Sequence, residues 1–183
     1  MDIYTKQGDD GTTGLFYGGR VSKADLGPEA YGAIDEAVAA LGLARAFADE
    51  EIAVAILDRQ RDLFVVAAEL ATAPSNRSKL EDETSRVTAR MVTVLEEEID
   101  AIVADTGLPQ EFIVPGGNHT AAALDIARTV VRRAERRAVT VMDSGDLNGS
   151  EVVRYLNRLA DYLYVLARMV EGDWISSRSG GSE

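Results

Sequence analysis

The sequence contains no cysteine and only one histidine, His119, among 183 residues. The first absence excludes disulfides, thiolate metal sites and cysteine nucleophiles; the second excludes a multi-histidine metal cage and argues against a serine-histidine-acid triad. Chemistry in this chain must therefore lean on its substrates or cofactors. Aromatic residues make up 6% of the chain and the net charge is -12. Nucleic acid is an improbable partner on that balance, because a polyanion is repelled unless the basic residues are segregated. No apolar run approaches the roughly 20 residues that a membrane span needs. The first residues, Met1-Asp2-Ile3-Tyr4-Thr5-Lys6, lack the basic and apolar regions of a secretory signal, so a soluble, cytoplasmic protein is expected.

The length suits one fold around one core, so residues 1–183 are read as a single domain in three parts. Residues 5–27 hold six glycines and three threonines without helical periodicity, and 1–27 read as a long ordered loop or a flexible arm. Residues 28–175 read as a helical bundle, and the small polar stretch 176–183 as a disordered tail. Within the bundle, apolar spacings of three and four predict five helices, at 28–48, 51–72, 81–104, 119–141 and 150–171. Asp49 is placed to cap the second, Pro74 to Ser78 separate it from the third, and Gly107-Leu108-Pro109 end the third. On the last helix Val152, Leu156, Leu159, Leu163, Leu166 and Val170 form a bundle seam. Asn157, Ala160, Asp161, Tyr164 and Arg168 gather on a second, mixed face, which either meets a partner or ligand or is solvated. On the first helix, Asp35 lies beside a stripe of small residues and either pairs with an arginine or faces water.

Two stretches carry the chemistry of phosphate binding. Thr5 to Gly14 combines backbone freedom, hydroxyls and Lys6, the inventory needed to wrap phosphate oxygens, although it is no Walker A sequence and a mobile arm is the plainer reading. Lys23 supplies a second positive charge, or is an ordinary surface lysine. In an otherwise acidic chain, Arg128, Arg132, Arg133, Arg136 and Arg137 fall within ten residues. Helical geometry sets Arg128 and Glu135 at the border of the apolar stripe and Arg132 just beyond, while Arg133 and Arg137 point outward and need only be solvated. Arg128 and Arg132 are spaced to grip a triphosphate bidentately, or to sit on a solvated basic face. Phe112 lies in an apolar strip that feeds the arginine helix; it is either a core anchor or a cap on a large planar ligand.

Taken together, Tyr4-Thr5-Lys6-x-Gly8-Asp9-x-Gly11-Thr12-Thr13-Gly14, Gly18-Gly19-Arg20-Val21-x-Lys23, Phe112-x-x-Pro115-Gly116-Gly117, Ala127 to Arg136 and Tyr155-Leu156-Asn157-Arg158-Leu159-x-Asp161-Tyr162-Leu163 resemble the PduO-type ATP:cob(I)alamin adenosyltransferases. The resemblance runs from Ile3 through the last helix. It implies an all-α fold: a five-helix bundle with ferritin-like up-down packing and an N-terminal ATP-binding loop, assembled as a homotrimer with active sites between subunits. The implied reaction is attack of cob(I)alamin on the 5′ carbon of ATP, giving adenosylcobalamin and triphosphate. Co(I) would itself be the nucleophile, in keeping with a chain that offers no thiol and one histidine.

By the same resemblance, ATP with magnesium on its phosphates is held by Thr5, Lys6, Gly8, Thr13, Gly14 and Lys23 from the loop and by Arg132, Glu135, Arg136 and Asn157 from the helices. Asp35 and Arg128 would form a salt bridge across the interface beside the cobalamin. Phe112 would occupy the lower corrin face, excluding water and the dimethylbenzimidazole ligand and so easing reduction to Co(I). Asp125, where many relatives carry histidine, and Ala160, where serine is frequent, depart from the family pattern. A corrinoid reductase and an adenosylcobalamin-dependent mutase are the partners to expect. Two other readings remain at this point: a cofactor-escort protein that binds ATP without catalysis, and a ligand-free trimeric bundle.

Overall fold

The structure is a computed structural model and describes residues 3–178. It is mostly helical. Strands β1 (Thr12–Gly14) and β2 (Arg20–Ser22) precede helices α1 (Leu26–Phe47) and α2 (Glu50–Leu70). A 3-10 turn (Pro74–Lys79) leads to α3 (Ala89–Thr106), followed by β3 (Ile113–Val114), α4 (His119–Asp143), α5 (Val152–Glu171) and β4 (Ile175–Ser176). Helix α1 packs between α2 and α4, α5 packs between α4 and α3, and α2 also reaches α5.

The core follows from the helical spacing. Val152, Leu156, Leu159, Leu163 and Leu166 of the α5 seam are all buried, against Ile34, Leu41, Ile56, Leu63, Leu124 and Val131 from the helices around them. Helix starts are set by side-chain caps: Asp49 accepts from the Ile52 N–H at 3.0 Å, Thr88 from Met91 at 3.4 Å and Asn118 from Ala121 at 2.9 Å. Each cap satisfies an N–H that the first turn leaves without a helical partner. Gly107 ends α3 at φ +71°, a backbone shape that a side chain disfavours.

Three expectations need correction. The third helix starts at Ala89 rather than 81, because the Glu69 carboxylate, wholly buried on α2, takes up the preceding backbone. It accepts from the Val87 N–H at 2.6 Å and pairs with Arg77 at 2.6 Å. Loop 1–27 contains a hairpin in which Thr12, Thr13 and Gly14 pair with Ser22, Val21 and Arg20, and α1 begins at Leu26, inside it. Residues 176–178 do not behave as a tail: Ile175–Ser176 pairs antiparallel with Ile113–Val114, and the Ser177 N–H donates to the Phe112 carbonyl at 2.8 Å. The rest of that stretch, 179–183, lies outside the described residues.

Candidate functional site

The N-terminal loop is pre-shaped by its own polar groups. Lys23 donates through Nζ to the Gly8 carbonyl at 2.8 Å and through its backbone N–H to Gly11 at 2.9 Å, closing the loop on itself. Arg20 donates from Nε to the Thr12 hydroxyl at 2.9 Å and also reaches the Gln7 carbonyl. Asp10 accepts from the hydroxyl and the N–H of Thr12, at 2.7 and 2.9 Å, and these bonds hold its carboxyl below the ordinary range. Thr5, Lys6, Gly14 and Lys23 are exposed and Thr13 is half-buried; the Thr5 hydroxyl accepts from the Gln7 N–H at 3.5 Å, and Lys6 sits at φ +60°. Arg20 was not among the expected site residues, although it stands in the quoted Gly18-Gly19-Arg20 motif. Its cross-strand bonds, which no spacing reveals, make it the organiser of this loop.

The arginines of α4 fall into two groups. Arg133 pairs with Glu36, and Arg137 with Glu29 at 2.8 Å. The outward pair is therefore not simply solvated, as the helical wheel suggests, but ties α4 to α1. Arg132 and Arg136 are exposed and, among the described residues, join no ion pair. Beside them, Glu135 accepts from Asn157 at 3.1 Å, Asn157 accepts from Arg158 at 2.6 Å, and Arg158 donates to Glu96 at 2.9 Å. The expected pair Glu135 and Asn157 is thus brought together, in a chain crossing α4, α5 and α3.

Asp35 and Arg128 are not joined within the chain. Asp35 is exposed on α1, while Arg128 bonds Asp125 at 3.1 Å and lies 6.0 Å from the Tyr164 ring centre. On α5 the expected mixed face also divides. Asp161 is exposed and Asn157 and Tyr164 are half-buried, but Ala160 and Arg168 are buried. Arg168 is fully enclosed because two carboxylates, Asp125 and Glu171, meet it.

Phe112 is 86% exposed, so it is no core anchor. It is nonetheless held, since its carbonyl is bonded to Ser177 and its strand neighbour Ile113 pairs with Ser176. Tyr164, Glu111 and Arg178 line the same cleft. This mount stands beside the N-terminal end of α4, just before the Asn118 cap. The hairpin docks at the other end: Phe16 bonds to Ala71 at 2.9 Å, and Leu15 and Val21 line a hollow with Leu70, Val141 and Leu147. From His119 to Val141 a helix rises about 33 Å. The loop and Phe112 of one chain therefore occupy opposite ends of the bundle, with Arg128 and Arg132 between them.

A second charged cluster, gathered around the buried Arg59, lies between α2, α3 and α5. Arg59 stands 3.5 Å from both Asp62 and Glu98, and the Tyr155 hydroxyl donates to Asp62 at 2.8 Å. Burial pushes the Asp62 and Glu98 carboxyls above their ordinary values, and the Tyr162 hydroxyl to about 12.

A family model described as cobalamin adenosyltransferase matches residues 3–170. The corrinoid adenosyltransferase of Bacillus subtilis is 41% identical over 185 residues, covering 98% of this chain and 89% of that protein. The corrinoid adenosyltransferase of Citrobacter freundii is 39% identical over 170 residues, covering 92% and 94%. Among solved structures, a variant of a PduO-type ATP:corrinoid adenosyltransferase from Lactobacillus reuteri, complexed with cobalamin and ATP, superposes with a TM-score of 0.84. Identity there is 28%, over 97% of this chain and all of that one (100%).

Proposed function

Because this chain belongs to the cobalamin adenosyltransferase family, we propose that it carries out the family reaction with its loop, its arginine helix and Phe112 acting from neighbouring subunits. The reaction transfers the 5′-deoxyadenosyl group of ATP to cob(I)alamin. The Co(I) electron pair forms the cobalt–carbon bond, the bond from the 5′ carbon to the α-phosphate oxygen breaks, and triphosphate departs with the electrons of that broken bond. The protein supplies no nucleophile, so its tasks are positioning and electrostatics.

Thr5, Lys6, Gly8, Thr13, Gly14 and Lys23 wrap the phosphates. Arg132 and Arg136, which no carboxylate neutralises among the described residues, offset the charge that grows on the leaving triphosphate. Glu135 and Asn157, already bonded to each other, hold the nucleoside. Among the described residues no group of three or more His, Asp or Glu side chains is placed to hold a metal ion; magnesium would be carried by the triphosphate, where it screens charge.

The observation that carries the corrinoid reading is Phe112, an apolar ring 86% exposed on a fixed mount. Leaving such a ring in water forgoes the roughly 2–3 kcal/mol its burial contributes, and covering a corrin face recovers it. Sites shared between copies are proposed because the loop and Phe112 of one chain lie too far apart to serve one pair of substrates; that the copies number three rests on the family resemblance. Asp35 and the exposed Leu43, Phe47 and Ile126 offer α1 and α4 a surface for a second copy, and Arg128 of that copy is the partner proposed for Asp35. Incubation with ATP, magnesium and chemically reduced cobalamin tests the reaction; the visible spectrum should become that of adenosylcobalamin. No product at saturating substrates would overturn the enzymatic reading in favour of an escort protein. A cytoplasmic location and supply by a corrinoid reductase complete the proposal.

A further inference from the structure

Arg168 is a guanidinium with no exposed surface, and what surrounds it leads to both sides of the proposed corrinoid site. Toward α4, Asp125 bridges two arginines: one oxygen meets Arg168 and the other accepts from Arg128 at 3.1 Å. Toward the C-terminal end of α5, Arg168 stands 2.7 Å from Glu171. The other oxygen of Glu171 accepts from the Gly117 N–H at 2.6 Å. That carboxylate occupies the space a side chain would need: a Cβ on Gly117 would lie 2.6 Å from Glu171 Cγ and 2.7 Å from Oε1. Tyr164 closes the cluster, its ring centre 5.4 Å from the Arg168 guanidinium and 6.0 Å from that of Arg128.

The same stretch of chain is held at three further points. The Arg168 carbonyl accepts from the Trp174 indole at 3.2 Å, the Val170 carbonyl accepts from Asn118 at 2.9 Å, and Ser177 donates to Phe112 at 2.8 Å. Arg168, Asp125 and Glu171 lie in the interior and Arg128 is half-buried; the line they form has Arg128 at one end and the Gly116-Gly117 turn that follows Phe112 at the other. Burying three charges is costly, and well-packed apolar residues serve stability as well or better. What the ions add is direction on the Asp125 side, where Arg168 and Arg128 donate to different oxygens of one carboxylate; toward Glu171 the link is charge, since among the described residues neither Arg168 Nη1 nor Glu171 Oε2 has a hydrogen-bond partner.

We infer that Arg168 and Glu171 are positioning residues of the corrinoid site, a buried ion pair that sets Arg128 on one side and the turn behind Phe112 on the other. The inference rests on the adenosylation reading above. Neither residue touches substrate; both act through the groups that do.

Glu171→Gln decides it. The amide oxygen still accepts from Gly117, but the charge facing Arg168 is gone. The expected result is a KM for cob(I)alamin raised roughly tenfold, as coupled buried pairs of this kind allow, with the KM for ATP changed less than about twofold. Trp174, the one tryptophan, should shift its emission, and quenching it with cobalamin should take correspondingly more ligand. Arg168→Lys should retain more cobalamin affinity than Arg168→Met; if the Met variant does not fold, Asp125→Asn takes its place. A lowered melting temperature with the cobalamin KM unchanged, or equal rises in both KM values, would overturn the inference. Failure of the unsubstituted enzyme to form adenosylcobalamin overturns the functional reading instead, so the two failures are distinguishable.

Discussion

Phe112 and Arg132 illustrate what a residue's surroundings add to its place in a motif. Phe112 is exposed, so Phe112→Ala should move the unfolding midpoint little, within the roughly 0.5 kcal/mol usual for surface changes. On the proposed role at the lower corrin face, turnover should fall further when an enzyme supplies the electrons than when cobalamin is reduced beforehand. Equal losses in the two assays would contradict an axial-ligand role. Among the arginines, Arg132→Ala should weaken ATP and slow the chemical step at least about tenfold, a difference of about 1.4 kcal/mol. Arg133→Ala removes only the exposed pair with Glu36, worth at most about 1 kcal/mol of stability, and should leave ATP affinity unchanged. Titration calorimetry on both variants checks this, and parallel losses would erase the division. The helical wheel set Arg132 and Arg133 on different faces, yet it could not see the α1 glutamates that hold Arg133 and Arg137. The burial of Arg168 is hidden from the wheel for the same reason: its partner Asp125 lies 43 residues earlier, on another helix.

At the scale of elements, what was legible was whatever repeats along one helix. The α5 seam and the Asp49 cap stand where spacing puts them. The start of α3, the hairpin and the β3–β4 pair depend on bonds between distant segments, such as Glu69 to Val87, and periodicity is blind to those. One consequence concerns acid. Glu98 on α3 faces Arg59 on α2, yet desolvation outweighs that attraction and raises its carboxyl. The folded chain thus holds this proton more tightly than the unfolded one. The stabilising contribution is complete below the ordinary glutamate value and is lost as pH rises through the raised one. Glu98→Gln, which mimics the protonated form, should therefore raise the urea midpoint at neutral pH, and the gain should shrink as pH falls into the carboxylate range. A lower midpoint at neutral pH would mean that the ion pair with Arg59 prevails.

For the whole molecule, the distance between the hairpin and Phe112 is the fact that no motif conveys. Both segments read as one site in the sequence, and they stand at opposite ends of α4. If neighbouring copies bring them together, charging the exposed α1 surface should abolish assembly and turnover at once. Phe47→Glu should sediment as a monomer and make no adenosylcobalamin, while its helix content stays unchanged; a monomer with full activity would refute shared sites. The placement of α1 between α2 and α4 also has a cost during synthesis. As the chain leaves the ribosome, α1 and α2 emerge first, and the α1 face that α4 covers has no mate until residue 143 is out. For some 70 residues of translation, several seconds at ordinary elongation rates of about 5–20 residues per second, that face is open to nascent-chain chaperones and to neighbouring polysomal chains. A circular permutant beginning at Asn118 would make α4 before α1 and shorten that exposure.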